Sequence, residues 1–359
     1  MKKIIYFSIY ILIIFIFADV IFGNWYLKKT NQQFYQSDLE KEYIARNRIL
    51  HPVYDHSFIP NTTLQYKWGD NYYQIYTNSL GFLDEKINNV PLESSKHRVL
   101  FLGDSFVEGL GYSYQDTFIG NMKQTLGTDY YELLNAGMMS YSPKLYFNKS
   151  KYLLEQVNLK VDEVIIFIDP SDPYDEVYYY KYFTPSDNPV EYLKPWPSYS
   201  TSKVVHGFLT DHSLLIHNLF PYKQNEDTRN VAPYMYNRGN WTFDDEFFNA
   251  YGWDGLKLCE KYMDQLVTLL KNHGVSQITV VVYPYPKQIE HKDINSKQTI
   301  FWEQFSKRQD INFINLFPTF FNLTNPNEYF IKNDVHWSAE GHKLVAKTII
   351  DALDYNKAN

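Results

Sequence analysis

Apolar residues follow three different patterns along the chain. The first is residues 4–23, an almost unbroken apolar run whose clear polar interruptions are Ser8 and Asp19. A helix of this length rises about 30 Å, which matches the hydrocarbon core of a bilayer. Ala18 is followed by Asp19 and large residues, unlike the small-x-small site at which signal peptides are cleaved. The pattern predicts an uncleaved, single-pass membrane anchor over residues 1–29, with Asp19 at its outer interface.

The second pattern covers residues 30–96. Residues 30–50 are polar with helix-like spacing and predict a juxtamembrane stalk. Aromatic residues then alternate with polar ones before a turn at Asn78-Ser79-Leu80-Gly81, as in short strands joined by hairpins. We therefore predict a stalk and a small β-rich segment that precede the main domain.

The third pattern begins at residue 97 and alternates apolar runs with helical periods. Continuous apolar runs are typical of strands buried on both faces, as in a parallel sheet. One candidate strand begins at Arg98, and others cover residues 131–137, 163–169, 278–284 and 311–317. We expect an α/β fold with a central parallel sheet over residues 97–355 and ligand chemistry at the carboxyl ends of its strands.

Helical periods and one long irregular stretch complete this domain. Between residues 253 and 273, apolar side chains recur every three or four positions and predict one buried stripe: Leu256, Cys259, Met263, Leu266 and Leu270. Because Cys259 is the only cysteine and lies on that stripe, it is interpreted as a core residue. A last helix is expected over about residues 339–353. Residues 173–250 lack periodicity and predict a large insertion near the active face.

Composition narrows the choice of ligand. The chain has 34 Lys and Arg against 41 Asp and Glu, a formal net charge of −7. This argues against nucleic acid as a partner, because a basic face dominates that binding. Aromatic residues make up 18% of the chain. A surface that stacks on sugar rings would explain the excess, but the coding bias of AT-rich genes explains it as well and is preferred.

Two loops carry residues suited to nucleophilic catalysis. Gly103-Asp104-Ser105 directly follows the first strand, where backbone N–H groups at a helix start can bind an oxyanion. Asp334-Val335-His336-Trp337 precedes the last helix, and the aspartate there can orient the histidine as a base. Taken alone, Ser105 suits a helix cap and His336 an ordinary loop residue. Both loops follow predicted strands, so we expect them on one face despite a separation of 231 positions.

These motifs resemble those of the SGNH/GDSL hydrolase superfamily. FLGDSFVEG matches the first block, with Ser105 as the implied nucleophile, and NAG matches the second block with Gly137. DVHW matches the last block with Asp334 and His336. Many members have DxxH, a register that would place Asn333 in the acid position. DxHW is the form of the branch that includes the alginate O-acetyltransferases, so Asp334 is assigned.

The resemblance covers roughly residues 52–350 and implies a three-layer sandwich around the parallel sheet. The segments TNSLGF and VVYPYP also look like those of membrane-anchored bacterial members. The third block departs from the family pattern, because Ser171 stands where the oxyanion Asn of GxND is expected. The resemblance implies the backbone N–H groups of Ser105 and Gly137 as oxyanion donors, and either the Ser171 hydroxyl or another residue would take the place of the third. Loss of one such donor typically costs about 10²–10³ in rate.

An acidic cluster follows the third block. Asp172, Asp175 and Glu176 lie close in sequence, with Asp169 nearby. With His336 or His342 as a further ligand they would offer a site to a metal ion, but no spacing among them is diagnostic. We predict a solvated loop and expect neither a metal nor a cofactor.

The implied reaction is acyl transfer through an acyl-serine, and three functions remain open. The first is a membrane-anchored ester hydrolase acting on a small ester or an acylated carbohydrate, with an acylated extracytoplasmic glycan preferred. The second is an O-acyltransferase, such as an O-acetyltransferase, that modifies a cell-surface polysaccharide with a membrane-bound acyl-donor protein as partner. The third is a non-catalytic glycan-binding protein on the same fold. A short tail before the anchor and a long domain after it predict that the domain lies in the periplasm or at the cell surface.

Overall fold

The computed structural model describes residues 2–29, 48–69, 71–186, 209, 212–219 and 237–355. The predicted stalk is therefore largely outside the described residues, as is much of the predicted insertion. The chain divides into two compact units, one formed by residues 1–47 with 195–232 and the other by residues 48–194 with 233–359.

A mixed eight-stranded sheet forms the centre of the second unit. Its strand order is β10-β9-β8-β6-β7-β5-β4-β3, and a separate antiparallel pair is formed by β1 and β2. The strands are β1 (Arg48–His51), β2 (Asp55–Phe58), β3 (Thr63–Trp68), β4 (Asn71–Thr77), β5 (Leu83–Asp84), β6 (His97–Leu102), β7 (Tyr131–Asn135), β8 (Glu163–Ile168), β9 (Gln277–Val282) and β10 (Asn312–Asn315). The five strands β6 to β10 pair with one another in parallel. The predicted α/β class with a mostly parallel central sheet is confirmed.

The hairpins before residue 96 belong to this same sheet. Strand β5 pairs antiparallel with β7 through Leu83 and Asn135, and β3 and β4 extend the edge beyond it. Asn78 shapes the turn between β4 and β5, because its side-chain oxygen accepts from the Leu80 and Phe82 N–H groups at 3.0 and 3.2 Å. The structure thus differs from the predicted boundary at residue 96. Alternation identifies half-buried strands, but it does not indicate which sheet they will join.

The described residues also form twelve helices. They are α1 (Lys2–Lys29), α2 (Ser105–Glu108), α3 (Phe118–Leu126), α4 (Pro143–Lys151), α5 (Asp172–Tyr178), α6 (Leu214–Leu219), α7 (Asp245–Phe247), α8 (Trp253–Asn272), α9 (Pro286–Glu290), α10 (Lys297–Gln309), α11 (Phe317–Phe321) and α12 (Ala339–Ala352). Single 3₁₀ turns occur at Tyr114–Asp116, Asn240–Thr242 and Pro326–Tyr329, and π-helical turns at Tyr152–Gln156 and Phe248–Gly252.

Helix α8 buries the stripe that its sequence predicts. All five stripe residues are at most 1% exposed, and Cys259 is fully buried among them. The helix packs against α4 and α5. It ends just before Gly274, whose φ of +78° lies in the left-handed region that favours glycine after a helix.

Helix α1 belongs to the first compact unit, together with α6. Its segment Tyr6–Leu27 has a mean hydropathy of 2.3 and is long and apolar enough to cross a membrane. This agrees with the predicted anchor at the level of length and composition.

Candidate active site

Ser105 lies at a tight turn between strand β6 and helix α2. The Asp104 side chain caps the helix by accepting from the Phe106 N–H at 3.0 Å. The turn is possible because residue 103 is glycine: a Cβ there would lie 2.3 Å from Val107 Cγ2. Ser105 is consequently held at the carboxyl end of a parallel strand and is only 6% exposed.

His336 reaches the same place from the loop before α12. A single antiparallel bridge between Phe330 and Trp337 fixes this loop. The Ser338 hydroxyl then caps α12 by accepting from the Gly341 N–H at 3.3 Å. The bridge and the cap therefore hold the chain directly after His336.

The three predicted triad residues lie within hydrogen-bond reach of one another. Ser105 Oγ is 2.8 Å from His336 Nε2, and His336 Nδ1 is 2.5 Å from Asp334 Oδ1. Asp334 Oδ1 also accepts from the His336 backbone N–H at 3.0 Å. Asn333 is exposed, with φ at +60°. The geometry therefore favours Asp334 over Asn333 as the residue that orients the histidine.

The charge on Asp334 is maintained by its surroundings. Burial by itself raises the pKa of this carboxyl, but the charge that the neighbouring His336 ring carries when protonated acts in the opposite direction. Hydrogen bonds from His336 and Trp68 add to that effect, so the pKa lies well below its ordinary value. The carboxylate is therefore ionised at neutral pH and able to stabilise a protonated imidazole.

Trp68 is a site residue that the sequence did not reveal. Its indole Nε1 donates to Asp334 Oδ2 at 2.7 Å, on the oxygen that His336 does not use. Its ring also meets the His336 ring edge-on, with centroids 5.4 Å apart. One tryptophan in an aromatic-rich run gives no local signal of a site. The sequence also predicts that its strand belongs to the β-rich segment before the main domain. Only the pairing of β3 into the central sheet brings it to the site.

Phe106 also packs against the imidazole of His336. Its ring centroid lies 4.9 Å from that of His336 and 4.9 Å from that of Trp337. Tyr285 stacks on it at 5.6 Å. Because Phe106 directly follows the nucleophile in sequence, the turn that presents Ser105 also supports the base.

Two of the three predicted oxyanion donors are engaged elsewhere. The Gly137 N–H donates to Asn135 Oδ1 at 3.0 Å, and the Ser171 hydroxyl donates to Asp175 Oδ2 at 3.3 Å. The Ser105 N–H has no hydrogen-bond partner within the described part of the chain. The same holds for the N–H of Ser140, a non-glycine residue at φ +64° in the loop after β7. Sequence blocks locate these loops, but the direction of each peptide depends on its neighbours in the fold.

The acidic cluster is buried, and the predicted solvated loop is wrong. Asp169, Asp172 and Asp175 are fully buried and Glu176 is 1% exposed. Tyrosine hydroxyls and one arginine replace water around them, because unpaired buried carboxylates are costly. The contacts are Tyr283 to Asp169 at 2.7 Å, Tyr146 to Asp172 at 3.3 Å, Arg238 to Asp175 at 2.8 Å and Ser142 to Glu176 at 2.7 Å.

This cluster reaches the nucleophile turn through one tyrosine. The Tyr283 hydroxyl is also 3.3 Å from Asp104 Oδ1, and Asp104 Oδ2 is 3.2 Å from Ser105 Oγ. Burial, and then the charge of Asp169, raises the pKa of Asp104 well above its ordinary value. Within the described residues, no group of three or more His, Cys, Asp or Glu side chains is arranged to hold a metal ion.

No protein-family model and no curated protein matches the sequence. Among solved structures, the chain is similar to a putative lipolytic protein of the G-D-S-L family from Desulfitobacterium hafniense DCB-2. The identity is 13%, covering 72% of this chain and 99% of that one, with a TM-score of 0.41.

Two carbohydrate esterases are similar to the same degree. For the acetyl xylan esterase AlAXEase the identity is 16%, the coverage 71% of this chain and 99% of that one, and the TM-score 0.42. For a catalytic mutant of Axe2, an acetylxylan esterase from Geobacillus stearothermophilus, the identity is 13%, the coverage 73% of this chain and 96% of that one, and the TM-score 0.41. TM-scores below 0.5 do not decide fold or activity, which therefore rest on the sheet and the site geometry.

Proposed function

We propose that the chain is a serine-dependent ester hydrolase of the SGNH type that acts through an acyl-serine intermediate. The proposal depends on one observation, the continuous hydrogen-bonded path from Asp334 through His336 to Ser105. A histidine held on one ring nitrogen by a buried carboxylate, with a serine hydroxyl at 2.8 Å from the other, is arranged for proton transfer. A histidine with a purely structural role does not require both contacts.

The proposed reaction has two halves. His336 Nε2 takes the proton from Ser105 Oγ as that oxygen attacks the ester carbonyl, and Asp334 stabilises the imidazolium. His336 then protonates the leaving alcohol as its C–O bond breaks, and the acyl group remains on Ser105. In the second half His336 deprotonates a water molecule, which attacks the acyl-serine. His336 then returns that proton to Ser105 Oγ as the bond between the acyl carbon and Ser105 Oγ breaks, and the carboxylic acid is released.

The oxyanion that forms in each half requires nearby donors. We assign one to the Ser105 N–H, at the start of α2, where helix N-termini favour negative charge. The loop after β7 is proposed to supply another, either from Gly137 or from Ser140. A role for Gly137 requires its N–H to leave Asn135 Oδ1. Ser171 remains a prediction of the same kind, because its hydroxyl would have to leave Asp175.

The proposed substrate is an acylated glycan outside the cytoplasm. Two features support this choice. The span Tyr6–Leu27 is apolar enough to anchor the chain in a membrane. The blocks TNSLGF and VVYPYP resemble those of membrane-anchored bacterial members of the superfamily.

Active-site labelling tests the proposed nucleophile and base. We expect a fluorophosphonate probe to label the wild-type chain but neither Ser105→Ala nor His336→Ala. Hydrolysis of p-nitrophenyl acetate should fall by about 10⁴ or more in both variants, the usual loss for a triad member. Equal labelling of wild type and Ser105→Ala would contradict the assignment.

A matched pair of variants tests the orienting carboxylate. Asp334→Asn keeps the size of the side chain and should lower the rate by orders of magnitude. Asn333→Ala, one position earlier and exposed, should leave the rate near that of wild type. The reverse pattern would show that Asn333, and not Asp334, occupies the acid position of the last block.

O-acyl transfer is the second candidate, because water and a sugar hydroxyl can resolve the same acyl-serine. It is favoured by the DxHW form of the last block, in which Asp334 contacts His336 at 2.5 Å. Adding a glycan acceptor should then accelerate loss of the acyl group and yield an acylated sugar. A non-catalytic glycan-binding protein would instead turn over p-nitrophenyl acetate no faster than its Ser105→Ala variant.

A further inference from the structure

Asp19 is the only acidic residue within the apolar span Tyr6–Leu27. It lies eight residues before the end of that span, which is about 12 Å along a helix. If the helix crosses a bilayer, this carboxylate is within the hydrocarbon region. Such groups are rare there and are generally paired with other polar groups.

The structure gives each oxygen of Asp19 a partner within residues 212–219. The Ser213 hydroxyl donates to Oδ2, and the Leu215 N–H donates to Oδ1 at 3.1 Å. The Ser213 oxygen in turn accepts from the Ile216 N–H at 3.0 Å. Asp19 and Ser213 thus satisfy N–H groups at the start of α6 that have no acceptor within the helix.

Gly23, one turn further along α1, makes a second and independent contact with this segment. A Cβ at this position would lie 2.6 Å from the His212 carbonyl oxygen and 2.7 Å from the Leu214 nitrogen. The backbone of residues 212–214 therefore lies directly on the helix surface. Contacts at Asp19 and Gly23 place this segment at the depth of α1 that these two residues occupy.

The exposed side chains of α6 are the apolar Leu215 and Leu219 and the polar Asn218, whose amide donates to the Leu214 carbonyl at 2.7 Å. Leu215 and Leu219 are 47% and 63% exposed. On α1, Ile21 and Phe22 are 70% and 54% exposed. Water would be a poor solvent for this joint surface, whereas lipid acyl chains would cover it as they would cover the rest of the span.

We propose that residues 212–219 form a second membrane-embedded element, held beside α1 in the outer part of the bilayer by Asp19 and covered by lipid acyl chains at Leu215 and Leu219. The inference rests on the proposed membrane span of α1. It also changes the interpretation of Asp19, which the sequence alone placed outside the hydrocarbon. The backbone of this short element is tolerated at that depth because Asp19 and Ser213 supply acceptors.

Cysteine accessibility tests the proposal when the chain is reconstituted in phosphatidylcholine vesicles that contain no other protein. The full-length chain is suited to it, because its only cysteine, Cys259, is buried and wild type gives the background. Leu219→Cys reports on α6, and Tyr72→Cys, an exposed position that also follows α1 in sequence, is the matched control. We expect a membrane-impermeant maleimide to label Leu219→Cys at least about tenfold more slowly than Tyr72→Cys, because the reactive thiolate does not form in hydrocarbon. Equal rates would overturn the proposal. They would also be found if α6 is normally covered by a partner protein, because the vesicles contain no such partner.

Two further variants test the attachment to α1. Adding Asp19→Leu or Gly23→Leu to Leu219→Cys should release the segment and restore the Tyr72→Cys rate, whereas Ile21→Leu should leave the protection unchanged. Persistent protection in both releasing variants would overturn the role of Asp19. Ile14→Cys, in the middle of the span, distinguishes a failure of the α1 membrane span from a failure of the α6 assignment alone. If Ile14→Cys labels rapidly, α1 does not span the bilayer and the anchor fails together with this inference.

Discussion

The two carboxylate oxygens of Asp334 have different partners. Oδ1 accepts from the side chain and backbone of His336, and Oδ2 accepts from the Trp68 indole. A carboxylate held on both oxygens cannot rotate without losing a charge-assisted hydrogen bond. Trp68 is therefore a positioning residue, since it acts on the histidine through the aspartate.

Replacing Trp68 with Phe tests this role. The ring is retained and one hydrogen bond to a charged group is lost, so we expect kcat to fall by about tenfold to a hundredfold. KM should change little, because the indole N–H contacts Asp334 and not the substrate. Steady-state kinetics with p-nitrophenyl acetate measure both values.

The control is Trp253→Phe, at a tryptophan 48% exposed on α8. It should leave kcat unchanged. A rise in KM with unchanged kcat for Trp68→Phe would contradict a positioning role and indicate a part in substrate binding.

At the scale of elements, close packing of α8 on α5 fixes the helix that carries Asp172, Asp175 and Glu176 of the acidic cluster. Gly255 permits this approach, because a Cβ there would lie 2.2 Å from the Pro173 carbonyl oxygen. A carbonyl in the backbone cannot rotate away as a flexible side chain can. The contact therefore explains why a residue with poor helix propensity occurs inside a helix.

Gly255→Ala should destabilise the protein although alanine is the better helix former. Overpacking of this kind typically costs about 1–3 kcal/mol, which exceeds the gain of about 1 kcal/mol in propensity. The midpoint of thermal unfolding of the detergent-solubilised chain measures the result. Gln265→Ala, at an exposed position of the same helix, is the control and should not lower the midpoint. A higher midpoint for Gly255→Ala would show that α8 and α5 can separate without cost.

At the scale of the whole molecule, several carboxyl groups are removed from water with few cations beside them. Burial raises the pKa of Glu176 to about 7, against weaker opposing effects of Ser142 and Lys144. Burial also raises the pKa of Asp175 to about 6, although Arg238 opposes it. The folded chain consequently binds protons more tightly at these groups than the unfolded chain does.

The contribution of Glu176 to stability should therefore decrease as the pH rises from about 4.5 to about 7, whereas buried His51 and His342, whose pKa values burial lowers, contribute in the opposite direction. The contribution of Glu176 is fully present below its unfolded pKa, near 4.3, and is lost as the pH passes its folded value of about 7. Glu176→Gln cannot ionise, so its unfolding midpoint should fall less over this range, by several degrees. Glu93→Gln, at an exposed site, should follow the wild-type curve. Parallel curves for Glu176→Gln and wild type would refute the assignment.

Much of the fold was predictable because it depends on residues close in sequence. Continuous apolar runs indicated the five parallel strands, and a spacing of three and four indicated the buried face of α8. The motifs at Ser105 and His336 each follow a strand, so their meeting on one face of the sheet also followed from local pattern. A membrane-spanning length for α1 needed only hydropathy.

Other features required the tertiary structure, because they depend on which distant group each polar atom meets. Local sequence did not reveal that β3 joins the central sheet and brings Trp68 to Asp334, a residue 266 positions away. Nor did it reveal that tyrosine hydroxyls surround the cluster near Asp172, or that the Gly137 N–H points to Asn135. Periodicity reports burial, which neighbours along one element share. Hydrogen-bond direction is set by the partner, and partners far apart in sequence are chosen only when the chain has folded.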